Sequence, residues 1–230
     1  MPDRSLYLLA GNPGARKLRG ADPVIKAAME STGVTKPKVA YVGAASGDNA
    51  AFFLFIGGLL RRSGAGSVTL APLCGRRGSL ERALPVLEEA DVVFVSGGDV
   101  EAGMDVLQEK RVLPHLARLH KAGKPFFGVS AGSIMLARQW VRWSTPEDDS
   151  TAEVFPCLGF APVLCDTHGE GDGWGELKAL LALCPSGSTG YGIVSGSAIV
   201  VKGRTVKALG GEVQVFKKRK DGVVQAESLS

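Results

Sequence analysis

Ser130 lies in a segment that has the sequence pattern of a nucleophile elbow. The apolar stretch Phe126–Val129 runs into Gly-Val-Ser-Ala-Gly at residues 128–132, and a helix-compatible segment follows. Small residues around a serine permit the strained turn from strand to helix that exposes the hydroxyl group. The same turn places the Ala131 amide at the start of a helix, where an unpaired N–H can stabilise an oxyanion. The pattern predicts a nucleophilic serine and one donor of an oxyanion hole.

Acyl transfer by a serine also requires a base within hydrogen-bond reach. The chain contains three histidines. His115 and His120 stand among basic residues in a predicted helix, which indicates a solvated helix face. His168 follows an apolar run that begins at Val163, so we expect it at the C-terminal end of a strand, where open α/β sheets bind their ligands. His168 is therefore the predicted base.

A second glycine turn follows the apolar run Val92–Val95, in the sequence Ser-Gly-Gly-Asp at residues 96–99. Because glycine has no Cβ, the backbone at Gly97 and Gly98 can come close to a substrate carbonyl. We expect the Gly98 amide to be the second oxyanion donor, and Gly97 and Asp99 to contact the substrate. An ordinary tight turn would have the same pattern, so this alternative stays open.

Strand-length and helix-length segments alternate along most of the chain. The predicted strands are nearly continuous apolar runs, which are typical of parallel strands buried on both faces. They are Leu6–Ala10, Val39–Val42, Val68–Ala71, Val92–Val95, Phe126–Val129 and Val163–Cys165. The predicted helices are Asp22–Ser31, Asn49–Arg62, Leu80–Glu89, Gly103–Ala122, Ala131–Gln139 and Trp174–Leu183. The pattern predicts an α/β fold, a mainly parallel sheet with helices on both faces. Between Gly190 and Val224, β-type runs separated by glycines predict a C-terminal antiparallel β meander.

Length and composition restrict the classes of function. The 230 residues contain no linker-like segment, which predicts a single domain over residues 1–230. The net charge is +4, and the basic residues form scattered clusters without interleaved aromatic residues, so nucleic-acid binding is not expected. The longest apolar run, Ala50–Leu60, is too short to cross a bilayer and indicates a buried helix or a subunit contact.

Targeting and cofactor patterns are not found in the sequence. The N-terminal residues do not have the pattern of a secretory signal, which predicts a cytoplasmic protein without a membrane role. The four cysteines lack Cys-x-x-Cys spacing, and neither a dinucleotide-binding nor a P-loop glycine pattern occurs. We therefore expect no metal and no cofactor. The hydrophobic pattern is compatible with a monomer or a homodimer.

Taken together, the motifs resemble those of the dipeptidase E and cyanophycinase family of serine peptidases. The similarity extends in the same order over about the first 215 residues. It rests on Ser96–Asp99, Gly128–Gly132, Leu158–Phe160, Asp166–His168 and the glycine-punctuated β region. The family has a fold like that of class I glutamine amidotransferases, with serine in place of the usual cysteine. The resemblance implies this fold and a small peptide as substrate.

By the same resemblance, Ser130 is the nucleophile, His168 is the base, and the amides of Gly98 and Ala131 form the oxyanion hole. Family members cleave aspartyl dipeptides or cyanophycin. The sequence departs from the family where Asp99 replaces the usual asparagine and where the segment Asp166–Gly173 is acidic and rich in glycine. Both departures favour an open, electronegative site that suits basic or uncharged groups.

A third departure concerns the acid that orients the histidine. Ser195 stands where the family often has an acidic residue, about 27 positions beyond the histidine. Other family members take the acid from the segment after the nucleophile helix. The candidates there are Glu147, Asp148, Asp149 and Glu153, with Asp148 and Asp149 preferred. The third member of the triad is thus left open, with Asp149 as the predicted choice.

Two other functions have to be weighed against a peptidase. An esterase with the α/β-hydrolase fold is disfavoured, because that class places its histidine late in the chain, whereas His168 precedes the β-rich tail. A degenerate relative that binds a small ligand is favoured by Asp99 and Ser195. The sequence predicts a serine hydrolase and keeps the ligand-binding protein as the alternative.

Overall fold

A seven-stranded sheet forms the centre of the computed structural model, which describes residues 5–11, 20–145 and 148–230. Its strands are β1 (Leu6–Leu9), β2 (Lys38–Val42), β3 (Ser67–Ala71), β4 (Val92–Val95), β5 (Phe126–Val129), β10 (Ala198–Lys202) and β11 (Thr205–Leu209). The strand order is β11-β10-β1-β5-β4-β2-β3, and the five strands from β1 to β3 in this order run parallel. All four residues of β4 are buried, as expected for a parallel strand covered on both faces.

Helices cover both faces of this sheet, which confirms the predicted α/β architecture. They are α1 (Pro23–Glu30), α2 (Ala50–Arg62), α3 (Leu80–Glu89), α4 (Val100–Glu109), α5 (Leu113–Lys121), α6 (Ala131–Leu136) and α7 (Gly175–Ala182). Side chains of α1 and α2 pack with Phe94 and Phe127 on one face. Helices α3 to α6 pack with Val93, Val95 and Phe126 on the other face. Neighbouring residues of β4 and β5 thus point to opposite layers, as strand geometry requires.

The segment Gly103–Ala122 was predicted to be one helix, and this prediction is wrong. Helix α4 ends at Glu109, and α5 begins at Leu113 after a turn in which Arg111 has a φ of 57°. Pro114 lies in the first turn of α5. A proline lacks the N–H of a helix interior and clashes with the preceding turn, but it is tolerated in a first turn. The break therefore lies just before the proline.

The C-terminal strands are antiparallel, as predicted, but they are divided between two sheets. Strands β10 and β11 extend the central sheet next to β1. A second sheet contains β8 (Leu164–Thr167), β9 (Thr189–Ile193), β12 (Val213–Arg219) and β13 (Gly222–Leu229). Its strand order is β13-β12-β9-β8, in which β8 runs parallel to β9. The predicted strand Val163–Cys165 therefore belongs to this second sheet and extends to Thr167.

Two further strands form a separate hairpin after the nucleophile helix. Helix α6 ends at Leu136, earlier than predicted, and the chain continues into β6 (Gln139–Trp143) and β7 (Ala152–Pro156). Ion pairs join Arg142 of this hairpin to Glu101 and Glu153. Within the described ranges, no helix combines the length and the apolar character that a bilayer crossing needs.

Candidate active site

Ser130 occupies a strained turn between β5 and α6. Its backbone has a φ of 54° and a ψ of −128°, a conformation that is costly for a residue with a side chain. The flanking glycines are sterically required. A Cβ on Gly132 would lie 2.1 Å from the Val95 carbonyl oxygen, and one on Gly128 would lie 2.5 Å from the Gly132 carbonyl oxygen. The turn therefore has the geometry that the small residues around Ser130 predicted.

The predicted base lies in direct contact with the predicted nucleophile. The Ser130 Oγ is 2.8 Å from the Nε2 of His168, a normal distance for a hydrogen bond between a hydroxyl group and an imidazole nitrogen. His168 follows the last residue of β8, and its amide donates a hydrogen bond of 2.9 Å to the Ile193 carbonyl. The backbone of His168 has a φ of 46°. Two strained residues from two different sheets thus place one hydroxyl against one imidazole.

The two predicted oxyanion amides lie beside this pair. Gly98 and Ala131 line, together with Ser130, a cavity at the C-terminal end of the parallel strands. Among the hydrogen bonds between described residues, neither the Gly98 amide nor the Ala131 amide donates to an acceptor. Ala131 is the first residue of α6, and the amides of a first helical turn have no partner within the helix. Both donors are therefore available to a substrate oxygen.

The turn around Gly98 is held by a close contact between backbones. Gly98 has a φ of 144°, and a Cβ at this position would lie 2.0 Å from the Ala45 carbonyl oxygen. The Asp99 amide donates to the same oxygen at 2.8 Å. Gly97 packs against the Cβ of Ser130. Only glycine can occupy position 98 in this arrangement, because any side chain would collide with the Ala45 backbone.

Asp99 has a structural contact in addition to its place at the site. Its carboxylate accepts a hydrogen bond of 2.8 Å from the Ala102 amide and so forms the N-cap of α4. The residue also lines the cavity that contains Gly98 and Ala131. An aspartate is among the preferred N-cap residues, and a carboxylate at the N-terminus of a helix is stabilised by the helix dipole. Asp99 therefore places a fixed negative charge beside the predicted oxyanion amides.

Two cavities flank the contact between Ser130 and His168, and their chemistry differs. The first has a volume of about 330 Å³ and is walled mainly by apolar side chains of α1, α2 and the central sheet. The second has a volume of about 390 Å³. Its acidic lining residues are Asp99, Asp166, Asp172 and Glu176. The Ser130–His168 pair thus separates an apolar cavity from an acidic cavity.

The acidic cavity contains a buried carboxyl group. Asp166 is only 7% exposed. Burial and the neighbouring carboxylates of Glu176 and Asp172 raise the pKa of Asp166 to about 7, although the Thr167 amide donates to it at 2.7 Å. Glu176 in turn accepts a hydrogen bond of 2.9 Å from the indole of Trp140. Crowded carboxylates of this kind favour a cationic group in the cavity.

The acids predicted to orient His168 have other partners or lie outside the described part of the structure. The Asp148 carboxylate accepts hydrogen bonds from the amide and the hydroxyl of Ser150. Glu153 forms an ion pair with Arg142. Glu147 and the side chain of Asp149 lie outside the described part of the structure, so the prediction for Asp149 stays a prediction.

Glu170 is a carboxylate near the base that the sequence analysis did not single out. Its Oε1 accepts a hydrogen bond of 3.2 Å from the Ser195 amide. Burial raises the pKa of Glu170, but the hydrogen bonds from Ser195 and the positive charge of His168 outweigh this effect and lower it. Its position two residues beyond His168 is the signal in the sequence that could have revealed it.

The other two histidines do not form the solvated face that was predicted. His120 is half-buried and stacks on Phe160, with ring centroids 4.3 Å apart and an interplanar angle of 4°. Burial lowers its pKa. His115 is also half-buried. The stacking explains why His120 is not on a solvated face, because its ring adds apolar area to the packing of α5. Within the ranges that the structure describes, no cluster of His, Cys, Asp or Glu could hold a metal ion.

The fold is that of the class I glutamine amidotransferase-like proteins. The sequence profile of peptidase family S51 matches residues 7–209, and the chain belongs to this family. Family membership supports a peptidase function, and it confirms the resemblance to dipeptidase E and cyanophycinase that the motifs indicated.

Two solved structures share the fold. A peptidase from an acI-B1 Actinobacterium is 18% identical, with a TM-score of 0.70, and the alignment covers 98% of this chain and 96% of that chain. A putative peptidase E protein from Listeria monocytogenes EGD-e is 14% identical, with a TM-score of 0.64 and coverage of 90% and 98%. No curated protein gives a significant match.

Proposed function

We propose that the protein hydrolyses short peptides or isopeptides, with Ser130 as the nucleophile and His168 as the base. The 2.8 Å contact between Ser130 Oγ and His168 Nε2 carries the proposal. A hydroxyl group is a weak nucleophile until an adjacent base accepts its proton. Membership of a peptidase family supports amide hydrolysis as the reaction.

The proposed reaction has two stages. The Ser130 Oγ attacks the scissile carbonyl carbon while its proton passes to His168 Nε2. The tetrahedral intermediate then collapses, the C–N bond breaks, and the leaving nitrogen takes the proton from His168. Water next attacks the acyl-enzyme, with His168 accepting its proton and returning a proton to Ser130. The products are an acid and an amine, and the enzyme is regenerated.

The amides of Gly98 and Ala131 stabilise the oxyanion of both intermediates in this proposal. Both amides lack an acceptor among the described residues, and both residues adjoin Ser130 in the same cavity. The close contact of Gly98 with Ala45 fixes one donor before the substrate binds. Removal of a single such donor typically lowers kcat by about a hundredfold to a thousandfold.

Glu170 provides the negative charge that stabilises protonated His168 in this proposal. The two groups interact electrostatically, and the Ser195 amide holds the Glu170 carboxylate in place. Glu170 is exposed, so its effect is weaker than that of a buried triad aspartate. It is proposed as a positioning residue, whereas Ser130 and His168 are the residues that react.

Labelling with a small fluorophosphonate, followed by intact-mass spectrometry, tests the proposal. We expect stoichiometric labelling of the native protein and none of Ser130→Ala or His168→Ala. Folding of both variants is verified by circular dichroism. Failure of the folded native protein to react between about pH 6 and pH 9 would contradict the peptidase proposal and favour the ligand-binding alternative.

A further inference from the structure

We infer that the apolar cavity beside Ser130 is a specificity pocket for a bulky uncharged apolar group next to the scissile carbonyl. The inference rests on the proposed function, because Ser130 and His168 are among the residues that line the cavity. Gly98, the proposed oxyanion donor, lines it as well. A substrate carbonyl held by the Gly98 amide therefore has the cavity directly beside it.

The walls of the cavity are built from two helices on one face of the sheet. Both α1 and α2 belong to the apolar cluster on this face, and side chains of both helices line the cavity together with Ser130. The helical lining residues are Val24, Ile25, Phe52, Phe55, Ile56 and Leu59. Burial of an apolar group against such walls is favourable in proportion to the apolar surface that is removed from water. The lining therefore selects substrates by their apolar area.

The volume of the cavity limits the size of its occupant. About 330 Å³ is at the lower end of the range of about 300 to 1,000 Å³ that is typical of small-molecule sites. This volume is large enough for one bulky side chain. An aromatic side chain or a branched aliphatic side chain has the matching shape and polarity.

Asp22 makes an anionic occupant unfavourable. This residue lines the cavity and is 7% exposed. Its Oδ1 accepts hydrogen bonds from the Val24 and Ile25 amides, which hold the carboxylate at the start of α1. A substrate carboxylate entering the cavity would meet this charge in an apolar environment, where like charges repel strongly. The pocket therefore selects against aspartate as well as in favour of apolar groups.

The run Ala50–Leu60, which indicated a buried helix or a subunit contact, thereby acquires a specific role. Phe52 and Phe55 are half-buried residues that line the cavity. Leu54, between them in sequence, is 68% exposed and lies away from the cavity. The face of α2 that carries the two phenylalanines forms the proposed pocket, and Leu54 provides a matched control on the same helix.

Hydrolysis of two series of dipeptides tests the inference. The series are Xaa-Ala and Ala-Xaa, in which Xaa is Phe, Leu, Ala, Asp or Lys. We expect kcat/KM for Phe and Leu to exceed that for Ala by about tenfold or more in one series, with Asp the poorest substrate. In Phe55→Ala the ratio of the Phe to the Ala value should fall about tenfold, and in Leu54→Ala it should be unchanged. Equal values for Phe and Ala in both series, or a preference for Asp or Lys over Phe in both series, would overturn the inference.

Direct binding separates this inference from the proposed function. Ser130→Ala is titrated with N-acetyl-phenylalanine amide and with N-acetyl-alanine amide by calorimetry. Tighter binding of the phenylalanine compound, lost in Ser130→Ala/Phe55→Ala, supports the pocket even if the native protein resists the fluorophosphonate. If the native protein is labelled but neither binding nor hydrolysis favours the apolar compound, only the pocket is refuted.

Discussion

The Ser195 amide donates a hydrogen bond of 3.2 Å to the Glu170 carboxylate. Ser195 occupies the position at which the dipeptidase E and cyanophycinase family often has its acid. The carboxylate beside that position therefore comes from a different loop, two residues beyond His168. This exchange allows the proposed site to keep a negative charge near its base although the residue at position 195 is neutral.

Replacement of Glu170 by glutamine should lower kcat by about tenfold to a hundredfold. Loss of a buried triad aspartate costs about ten-thousandfold, and an exposed carboxylate contributes less because water and salt screen its charge. The matched comparison is Asp149→Asn, which tests the acid predicted from the sequence. A larger loss in Asp149→Asn than in Glu170→Gln would place the orienting acid in the segment after β6.

Salt dependence distinguishes an electrostatic role of Glu170 from a merely structural one. The ratio of the native kcat to the Glu170→Gln kcat should become smaller as salt increases from about 0.05 M to 1 M, because the Debye length falls to about 3 Å at 1 M. A ratio that does not change with salt would indicate that Glu170 acts only by holding the Ser195 loop.

An exchange of the side chains at positions 170 and 195 should recover part of the activity that is lost when Glu170 is replaced. In Glu170→Ser the negative charge is removed, and in the double variant Glu170→Ser/Ser195→Glu it returns from the position that the family uses. We expect kcat of the double variant to exceed that of Glu170→Ser by about tenfold, the effect of a charge worth about 1.4 kcal/mol in the transition state. The single variant Ser195→Glu is the control. Its kcat should not exceed that of the native protein, because the carboxylates of Glu170 and the new glutamate would then compete for the same position near His168.

Asp166→Asn should stabilise the protein at neutral pH. The pKa of Asp166 is raised to about 7 by burial and by Glu176 and Asp172, so between about pH 4 and pH 7 the unfolded chain has lost a proton that the folded chain retains. Folding stability therefore falls as pH rises through this window, by about 1.4 kcal/mol per pH unit and on the order of 4 kcal/mol in total. Asparagine does not ionise and removes this cost.

Urea unfolding at pH 5 and at pH 8 measures this effect. The gain in the free energy of unfolding from Asp166→Asn should be larger at pH 8 than at pH 5. Asp105→Asn, which changes an exposed carboxylate of α4, should show no comparable dependence. An equal gain for Asp166→Asn at both pH values would mean that the carboxyl group of Asp166 is ionised throughout this range.

The parts of the fold that follow local rules could be predicted from the sequence. The elbow at Ser130 requires glycines at 128 and 132, because a Cβ on either would collide with backbone atoms, and such a requirement is visible in a single segment. The buried strand Val92–Val95 is likewise recognisable from its continuous apolar run. His168 could be placed at a strand end for the same reason.

Other features depend on contacts between distant segments, and the sequence could not reveal them. The apolar runs that form β10 and β12 have similar sequence patterns. These patterns do not indicate that β10 joins the central sheet and that β12 joins the second sheet. The approach of Glu170 to Ser195 depends on how two loops meet. The apolar cavity is lined by side chains of both α1 and α2, and periodicity describes each helix only by itself.

Thiol reagents should leave the proposed activity intact. Burial raises the pKa of Cys157 to about 12, and burial with the nearby charge of Asp48 raises the pKa of Cys74 to about 11. Cys165 is fully buried, and its pKa is raised well above the usual value. Because the thiolate is the reactive form, iodoacetamide at pH 7.5 should alkylate these three cysteines slowly in the folded protein.

Mass spectrometry and fluorophosphonate labelling check this prediction together. The folded protein treated with iodoacetamide should still label fully at Ser130, whereas protein in 8 M urea should be alkylated at all four cysteines of the chain. Loss of fluorophosphonate labelling after alkylation of a single cysteine would contradict this prediction, because a thiol would then have to act at the site.

Gly98→Ala should remove fluorophosphonate labelling and destabilise the fold. A Cβ at position 98 would lie 2.0 Å from the Ala45 carbonyl oxygen, and the φ of 144° is strained for any residue except glycine. Relief of the collision moves the Gly98 amide, so we expect kcat to fall by about a hundredfold or more. The free energy of unfolding should fall by about 1 to 3 kcal/mol because of backbone strain. Gly175→Ala is the matched control, because a Cβ there meets no atom within 4 Å. If Gly98→Ala reacts with the probe at the native rate, the oxyanion is held by other donors.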